Sequence, residues 1–178
     1  VMNPEFLREG VAINDFMNPD RVVIGGYDEY SSNLVKSLYD FYFDTDYILT
    51  DTTTAEMIKY SANSLLATLI SFSNEIGNLC ATIGVDSKEV EKGVHLDERF
   101  SPLVDNVRVF PSSIKYLEAG CGFGGSCFPK DVKALHAFGK KQNLSMQMLN
   151  SVININDAQP HEIISILKNR VPNHKDKK

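Results

Sequence analysis

Between Asp51 and Ile83 the sequence has no proline and a single glycine, Gly77. Nothing in that span breaks a helix, and apolar residues recur at 57, 58, 65, 66, 69, 70, 76, 79, 80 and 83. The spacing predicts one helix of roughly 28 residues, about 40 Å long at the standard rise. Asp51-Thr52-Thr53-Thr54 offers caps for its start, with Thr53 and Glu56 as a capping box, and Gly84 stops it. Cysteine is also scarce: three, an odd number, do not make a disulfide framework and fit a reducing cytoplasm. No apolar run approaches the roughly 18 residues of a membrane span. Val1-Met2-Asn3-Pro4 has neither the charged nor the apolar region of a signal peptide. A long basic cluster is missing and the net charge is −5, which argues against nucleic acid as the main partner. An anionic ligand must therefore be held by a few placed Arg and Lys side chains.

With 43% hydrophobic and 23% charged residues among 178, the chain is in the globular range, enough for one domain or pieces of two. It opens without a start methionine inside what reads as a structured segment, as a piece of a longer chain would. Residues 1–50 read as α/β material: strands at 21–26 and 47–50 flank a helix over 31–43, in the alternation of a parallel sheet. Beyond the long helix, short helices are expected over 86–93, 129–142, 145–157 and 160–170, with a mixed segment at 95–119 and a polar tail at 173–178. The fold class is mostly α with a small α/β part at the N-terminus.

The densest chemistry lies in Gly122-Phe123-Gly124-Gly125-Ser126-Cys127-Phe128-Pro129-Lys130-Asp131. Glycines allow tight turns and close approach to a bulky ligand. Pro129 marks the first turn of a helix, with Phe128 as its cap, and Cys127 stands just ahead of it. The positive helix end and nearby Lys130 favour the thiolate, which is the nucleophile. Lys59 and Asn63, four apart on the long helix, share a face. Glu5 and Glu9, in Asn3-Pro4-Glu5-Phe6-Leu7-Arg8-Glu9-Gly10, and Arg99 complete the constellation. Each has a plainer reading alone: a solvated helix face for Lys59 and Asn63, first-turn charges for the glutamates, a surface charge for Arg99. Cys80 falls in the apolar pattern of the long helix and reads as a small core residue.

In these segments the chain resembles the nucleotide-sugar 6-dehydrogenases, the UDP-glucose and GDP-mannose dehydrogenase family. The resemblance rests on the cysteine motif, on Asn-Pro-Glu-Phe-Leu-Arg-Glu-Gly, on Asn18-Pro19-Asp20-Arg21-Val22-Val23-Ile24-Gly25-Gly26, and on Ala55-Glu56-Met57-Ile58-Lys59-Tyr60-Ser61-Ala62-Asn63. These occur in the family's order and spacing over essentially the whole chain. The Lys-x-x-x-Asn element is the least specific, being shared with related hydroxyacid dehydrogenases.

The resemblance implies oxidation of a sugar primary alcohol to a carboxylate with two NAD+. The favoured substrate is UDP-glucose, giving UDP-glucuronate, with GDP-mannose as the alternative. It implies Cys127 as nucleophile, Lys59, Asn63 and Asp131 holding the substrate hydroxyl, a water and the developing oxyanion, and Glu5 in thioester hydrolysis. Glu9, Phe6, Leu7, Arg99, Tyr116, Phe123 and Gly124 become substrate-binding positions, Lys130 a cofactor-binding one, and no metal is expected. It further implies a homodimer through the long helix, with Arg99 reaching a neighbouring subunit's substrate. Residues 1–50 would be the end of a Rossmann-like NAD domain, 51–160 a central helical dimerisation domain, and 161–178 the start of a connection onward.

One departure stands out: the Gly-x-Gly-x-x-Gly dinucleotide fingerprint after a first strand is absent, and the only glycine-rich loop precedes Cys127. The isolated piece is therefore expected to bind NAD poorly and to turn nothing over. Two other readings stay open: a module that only dimerises, and a cysteine hydrolase with His95 or His136 as base, although both histidines read as surface residues.

Overall fold

The computed structural model describes residues 1–42 and 44–171. The end of the helix expected over 31–43 and the polar tail at 173–178 therefore lie partly or wholly outside the described residues. The chain divides into two compact units, Val1–Ala62 and a second beginning at Asn63. The boundary expected at 50/51 coincides with a strand–helix junction, whereas the units divide further on, inside the long helix.

In the first unit, helix α1 (Ala12–Met17) leads to strand β1 (Arg21–Gly25), helix α2 (Glu29–Ser37) and strand β2 (Asp46–Thr50). The strands pair in parallel from Arg21↔Asp46 to Gly25↔Thr50, so β1, α2 and β2 form a βαβ unit. Val22, Val23 and Ile24 are buried in succession, the pattern of a strand covered on both faces. Met2 exchanges two 2.7 Å backbone hydrogen bonds with Gly25, which lays the N-terminal segment against β1. A Cβ on Gly25 would stand 2.6 Å from Asp51 O and from Ala55 Cβ; only glycine lets the next helix start this close. Helix α2 is shorter than expected. Asp28 caps its start by accepting from Ser31 N–H, and the backbone turns over at Leu38–Tyr42. There the Tyr39 and Tyr42 rings stack with their centres 6.0 Å apart.

Helix α3 (Thr52–Ile83) is the long helix, 32 residues in one piece. Its cap is Asp51, which accepts from Thr54 N–H at 2.9 Å and from Thr54 Oγ1 at 2.6 Å, in place of the expected Thr53–Glu56 box. Gly84, at φ +75°, closes it with Val85 N–H reaching back to Cys80 O.

In the second unit, α3 is followed by helix α4 (Ser87–His95), a two-residue hairpin β3 (Leu103–Val104) and β4 (Val107–Arg108), a 3-10 turn at Ser112–Tyr116, helix α5 (Phe128–Lys141) and helix α6 (Gln147–Arg170). The face that α3 buries is small and polar: Asn63, Ser64, Ala67, Ser71, Ser73, Asn74 and Cys80. Small side chains let backbones approach, and Ser71 Oγ donates to Val152 O on α6. The apolar core is compact: Ala67, Phe123, Val132 and Val152, flanked by Ile70, Phe128, Leu149 and Ile153. The two helices expected over 145–157 and 160–170 are one, α6, with Pro160 inside it. Proline removes one N–H from the ladder but does not end the helix, because Gln159, buried beside it, is anchored to α3 and to the glycine loop.

Candidate active site

In the first unit, the turn after Pro4 carries Glu5, Phe6 and Leu7. Glu5 Oε2 accepts the Leu7 N–H at 2.7 Å, and Oε1 stands 3.7 Å from Lys59 Nζ. Lys59 is mostly buried and also lies 5.2 Å above the centre of the Phe6 ring, while Arg21 Cζ approaches that ring at 4.0 Å. The half-buried Phe6 ring thus holds two cations that would otherwise repel. Leu7 and Glu9 are exposed. Arg8 forks onto Asp15 at 2.6 and 2.9 Å, and these hydrogen bonds lower the Asp15 carboxyl to about 2.

In the second unit, Cys127 itself is the N-cap of α5, with Phe128 and Pro129 opening the helix; the expected cap, Phe128, is one residue further in. Proline fits there because a first-turn N–H has no helical partner anyway. Cys127 is an exposed free thiol with Ser126 Oγ at 3.7 Å, and its carbonyl accepts the Asp131 N–H at 2.9 Å. Asp131 is 2% exposed. Its Oδ2 accepts from Asn63 Nδ2 at 2.6 Å, and its Oδ1 pairs with Lys130 Nζ. The structure therefore brings Asn63 and Asp131 into contact, one turn from Cys127, and commits the Lys130 ammonium to Asp131. Lys59 precedes Asn63 by four residues on α3.

The remaining expected positions scatter more. Phe123 is buried in the core, edge-on to Phe128 at 6.1 Å, so only its backbone faces the loop. Tyr116 lies edge-on to Phe128 at 6.2 Å. Gly124 is open on its Cβ side. Arg99, 84% exposed, forks onto Asp97, and its hydrogen bonds lower the Asp97 carboxyl to about 2. The two candidate histidines, expected at the surface, are both half-buried. His95 Nε2 stands 2.9 Å from Leu117 O. Cys80 is buried, as its place in the apolar pattern implies, and Cys121 is exposed and free.

Four amides escaped the sequence reading. Asn156 Oδ1 accepts the Phe123 N–H at 2.7 Å, and its Nδ2 donates to Phe123 O at 3.1 Å. Gln159 Nε2 donates to Gly120 O at 2.8 Å, Asn74 Oδ1 accepts the Gly120 N–H at 2.7 Å, and Asn78 Nδ2 donates to Gln159 Oε1 at 2.9 Å. The available signal was their spacing: Asn156 and Gln159 are three apart, Asn74 and Asn78 four, so each pair lines one helix face.

A βαβ unit in one part, and in the other a helical domain whose glycine loop ends in a thiol at a helix start, define an α/β-plus-helical thiol-bearing class. Residues 53–158 match the central domain of the UDP-glucose/GDP-mannose dehydrogenase family and residues 1–42 match its NAD binding domain. The chain belongs to the UDP-glucose/GDP-mannose dehydrogenase family. It is 44% identical over 160 residues to a UDP-glucose 6-dehydrogenase of Rickettsia bellii, covering 89% of this chain and 34% of that one. Against the UDP-glucose 6-dehydrogenase TuaD of Bacillus subtilis it is 42% identical over 167 residues, 94% of this chain and 33% of the relative. A solved UDP-glucose dehydrogenase from the archaeon Pyrobaculum islandicum superposes with a TM-score of 0.81 at 39% identity, over 96% of this chain and 36% of that one. The chain thus spans about a third of the length of the relatives it matches.

The family's NAD-binding match supports NAD as cofactor. At the β1–α2 turn, the N-terminus of α2 is already occupied by the Asp28 carboxylate, which would repel a phosphate. Among the described residues, no group of three or more His, Cys, Asp or Glu side chains could hold a metal ion, and no helix is long and apolar enough to cross a membrane.

Proposed function

We propose that the protein to which this chain belongs oxidises a nucleotide sugar by four electrons, from primary alcohol to carboxylate, with UDP-glucose the favoured substrate and UDP-glucuronate the product. The observation that carries this reading is the buried Asn63–Asp131 pair at the start of the helix that Cys127 caps. NAD supplies the hydride acceptor. Lys59, Asn63 and Asp131 hold the substrate hydroxyl and stabilise charge as its proton leaves. Once the alcohol carbon is an aldehyde, the Cys127 thiolate adds to it, forming a C–S bond and, after proton uptake, a thiohemiacetal. Loss of a second hydride and the hydroxyl proton leaves a thioester. Water, with Glu5 as base, then breaks the C–S bond, releasing the carboxylate and the thiol. Glu9, Phe6, Leu7, Tyr116, the Phe123 backbone and Gly124 are the proposed substrate contacts, and Lys130 a cofactor contact.

The quaternary proposal is a homodimer through α3, with Arg99 serving the neighbouring subunit's substrate. Its support is a line of exposed apolar side chains at seven-residue steps on α3: Leu65, Phe72 and Leu79 are 61%, 51% and 54% exposed. The cytoplasm is the proposed compartment, on the free cysteines.

The decisive test is NADH formed per sugar consumed, with UDP-glucose, GDP-mannose and UDP-N-acetylglucosamine offered separately. Two NADH per UDP-glucose is the expected result. One NADH, or none with any sugar, would withdraw the role of Cys127.

A further inference from the structure

We propose that Asn156 is a positioning residue for Cys127, acting as a two-point clamp on the backbone of Phe123. The inference rests on the reading of Cys127 as nucleophile. Asn156 gives one residue of the loop both an acceptor and a donor, at 2.7 and 3.1 Å, as a neighbouring β-strand would. Gln159, one turn on along α6 and 1% exposed, holds Gly120 O. The loop therefore rests on two points of a single helix face, and between them Gly122 sits at φ +91°. A Cβ on Gly122 would come within 2.7 Å of Asn156 Oδ1, so loop and clamp are fitted to each other.

The clamp matters because the chain between it and the thiol is exposed, and added Cβ atoms at Gly124 and Gly125 would meet nothing within 4 Å. Phe123, its ring buried against Phe128 and its backbone held by Asn156, is the fixed point on the loop side of the thiol. Glycines lose more backbone freedom on ordering than any other residue. The clamp fixes where the Gly124–Ser126 stretch begins, the start of α5 that Cys127 caps fixes where it ends, and the two together set how Cys127 is presented. A misplaced thiol costs rate steeply, because near-attack geometry tolerates little displacement.

The chemistry of the clamp supplies its own test. An aspartate at 156 still accepts the Phe123 N–H, but it donates to the Phe123 carbonyl only when protonated. Ionised, it sets a carboxylate against that carbonyl. Asn156→Asp and Asn156→Ala are made in a Cys121→Ser background of the full-length protein, with Asn154→Ala, an exposed neighbour on α6, as control. Cys127 is titrated with dithiodipyridine from pH 5 to 8, and amide hydrogen exchange is followed at residues 120–127. The expected result has three parts. In the alanine variant the Phe123 amide exchanges at least tenfold faster and the Cys127 rate differs from the parent's at least threefold at every pH. The aspartate variant, ionised across this range at an ordinary carboxyl value of about 3.9, shows the same departure throughout. The Asn154 control matches the parent. An unchanged Phe123 amide and Cys127 rate in the variants overturns the clamp. If the alanine variant does not fold, the aspartate variant compared with the parent decides alone. Because neither readout requires turnover, full acid formation by Cys127→Ser would sink the nucleophile reading without touching this result.

Discussion

Asn63 on α3 and Asp131 on α5 meet across 68 positions of sequence in a 2.6 Å hydrogen bond, with both side chains buried. The carboxylate gives one oxygen to Asn63 and the other to Lys130, so its burial is compensated on both sides. Asn63→Ala leaves the buried Asp131 carboxylate short of a donor. The expected loss is about 1–3 kcal/mol in urea unfolding. Asp131→Asn should lower turnover more than stability, because it removes the negative partner of Lys130. Equal unfolding midpoints for Asn63→Ala and parent would show that the bond contributes nothing net.

Cys127→Ser should stop the reaction after the first oxidation, or leave it on a slow ester-like intermediate. Acid formation should fall on the order of 10³-fold or more, as expected when a nucleophile is removed. The check is NADH stoichiometry in a single turnover.

Val132 and Val152 are fully or almost fully buried in the core beneath the glycine loop. Val132→Ala removes two carbon atoms from a closed site. At about 0.8 kcal/mol per methylene plus a cavity contribution, a loss of roughly 2 kcal/mol is expected in chemical denaturation.

Gly122→Ala is expected to be costly for two reasons: φ +91° excludes a side chain, and the new Cβ collides with Asn156 Oδ1. Backbone strain alone amounts to about 1–2 kcal/mol. A thermal melt should show the loss, and Gly124→Ala, where the Cβ meets open space, should show less.

The Asp15 carboxyl is lowered to about 2, chiefly by the side-chain hydrogen bonds from Arg8. A depressed folded-state value contributes stability above the unfolded value, about 3.9, and that contribution is lost as pH falls through the folded one. Arg8→Ala should therefore raise the Asp15 midpoint in a carboxyl NMR titration towards the ordinary range. It should also make acid unfolding less steep between about pH 4 and 2. An unmoved midpoint would mean that the fork seen here does not persist in solution.

The long helix was legible because an uninterrupted apolar recurrence and a terminal glycine are local signals. So were β1 and β2, short β-branched runs ended by turn residues, and the α5 start at Pro129. Asp51 was one of four successive polar residues offered as caps for α3, and the choice among them depends on where β2 ends. Splitting α6 at Pro160 followed a sound local rule that tertiary anchoring of Gln159 overrides. Among the candidate site residues, the motif pointed to Cys127, Lys130 and Asp131 together, but not to the bond from Asn63. That bond joins distant positions and leaves no trace in either segment. The resemblance implies Phe123 as a substrate contact, yet its ring lies in the core with Ala67, Val132 and Val152.

The serine- and asparagine-rich face of α3 carries a calorimetric consequence. Among the described residues, nearly as many polar as apolar side chains are buried. Hydrating apolar surface on unfolding raises the heat capacity, whereas hydrating polar surface lowers it. The two contributions partly cancel here, so this helical body should unfold with a smaller heat-capacity increment than a leucine-packed bundle of equal size. Its stability should then change only gently with temperature, declining slowly on chilling as well as on warming.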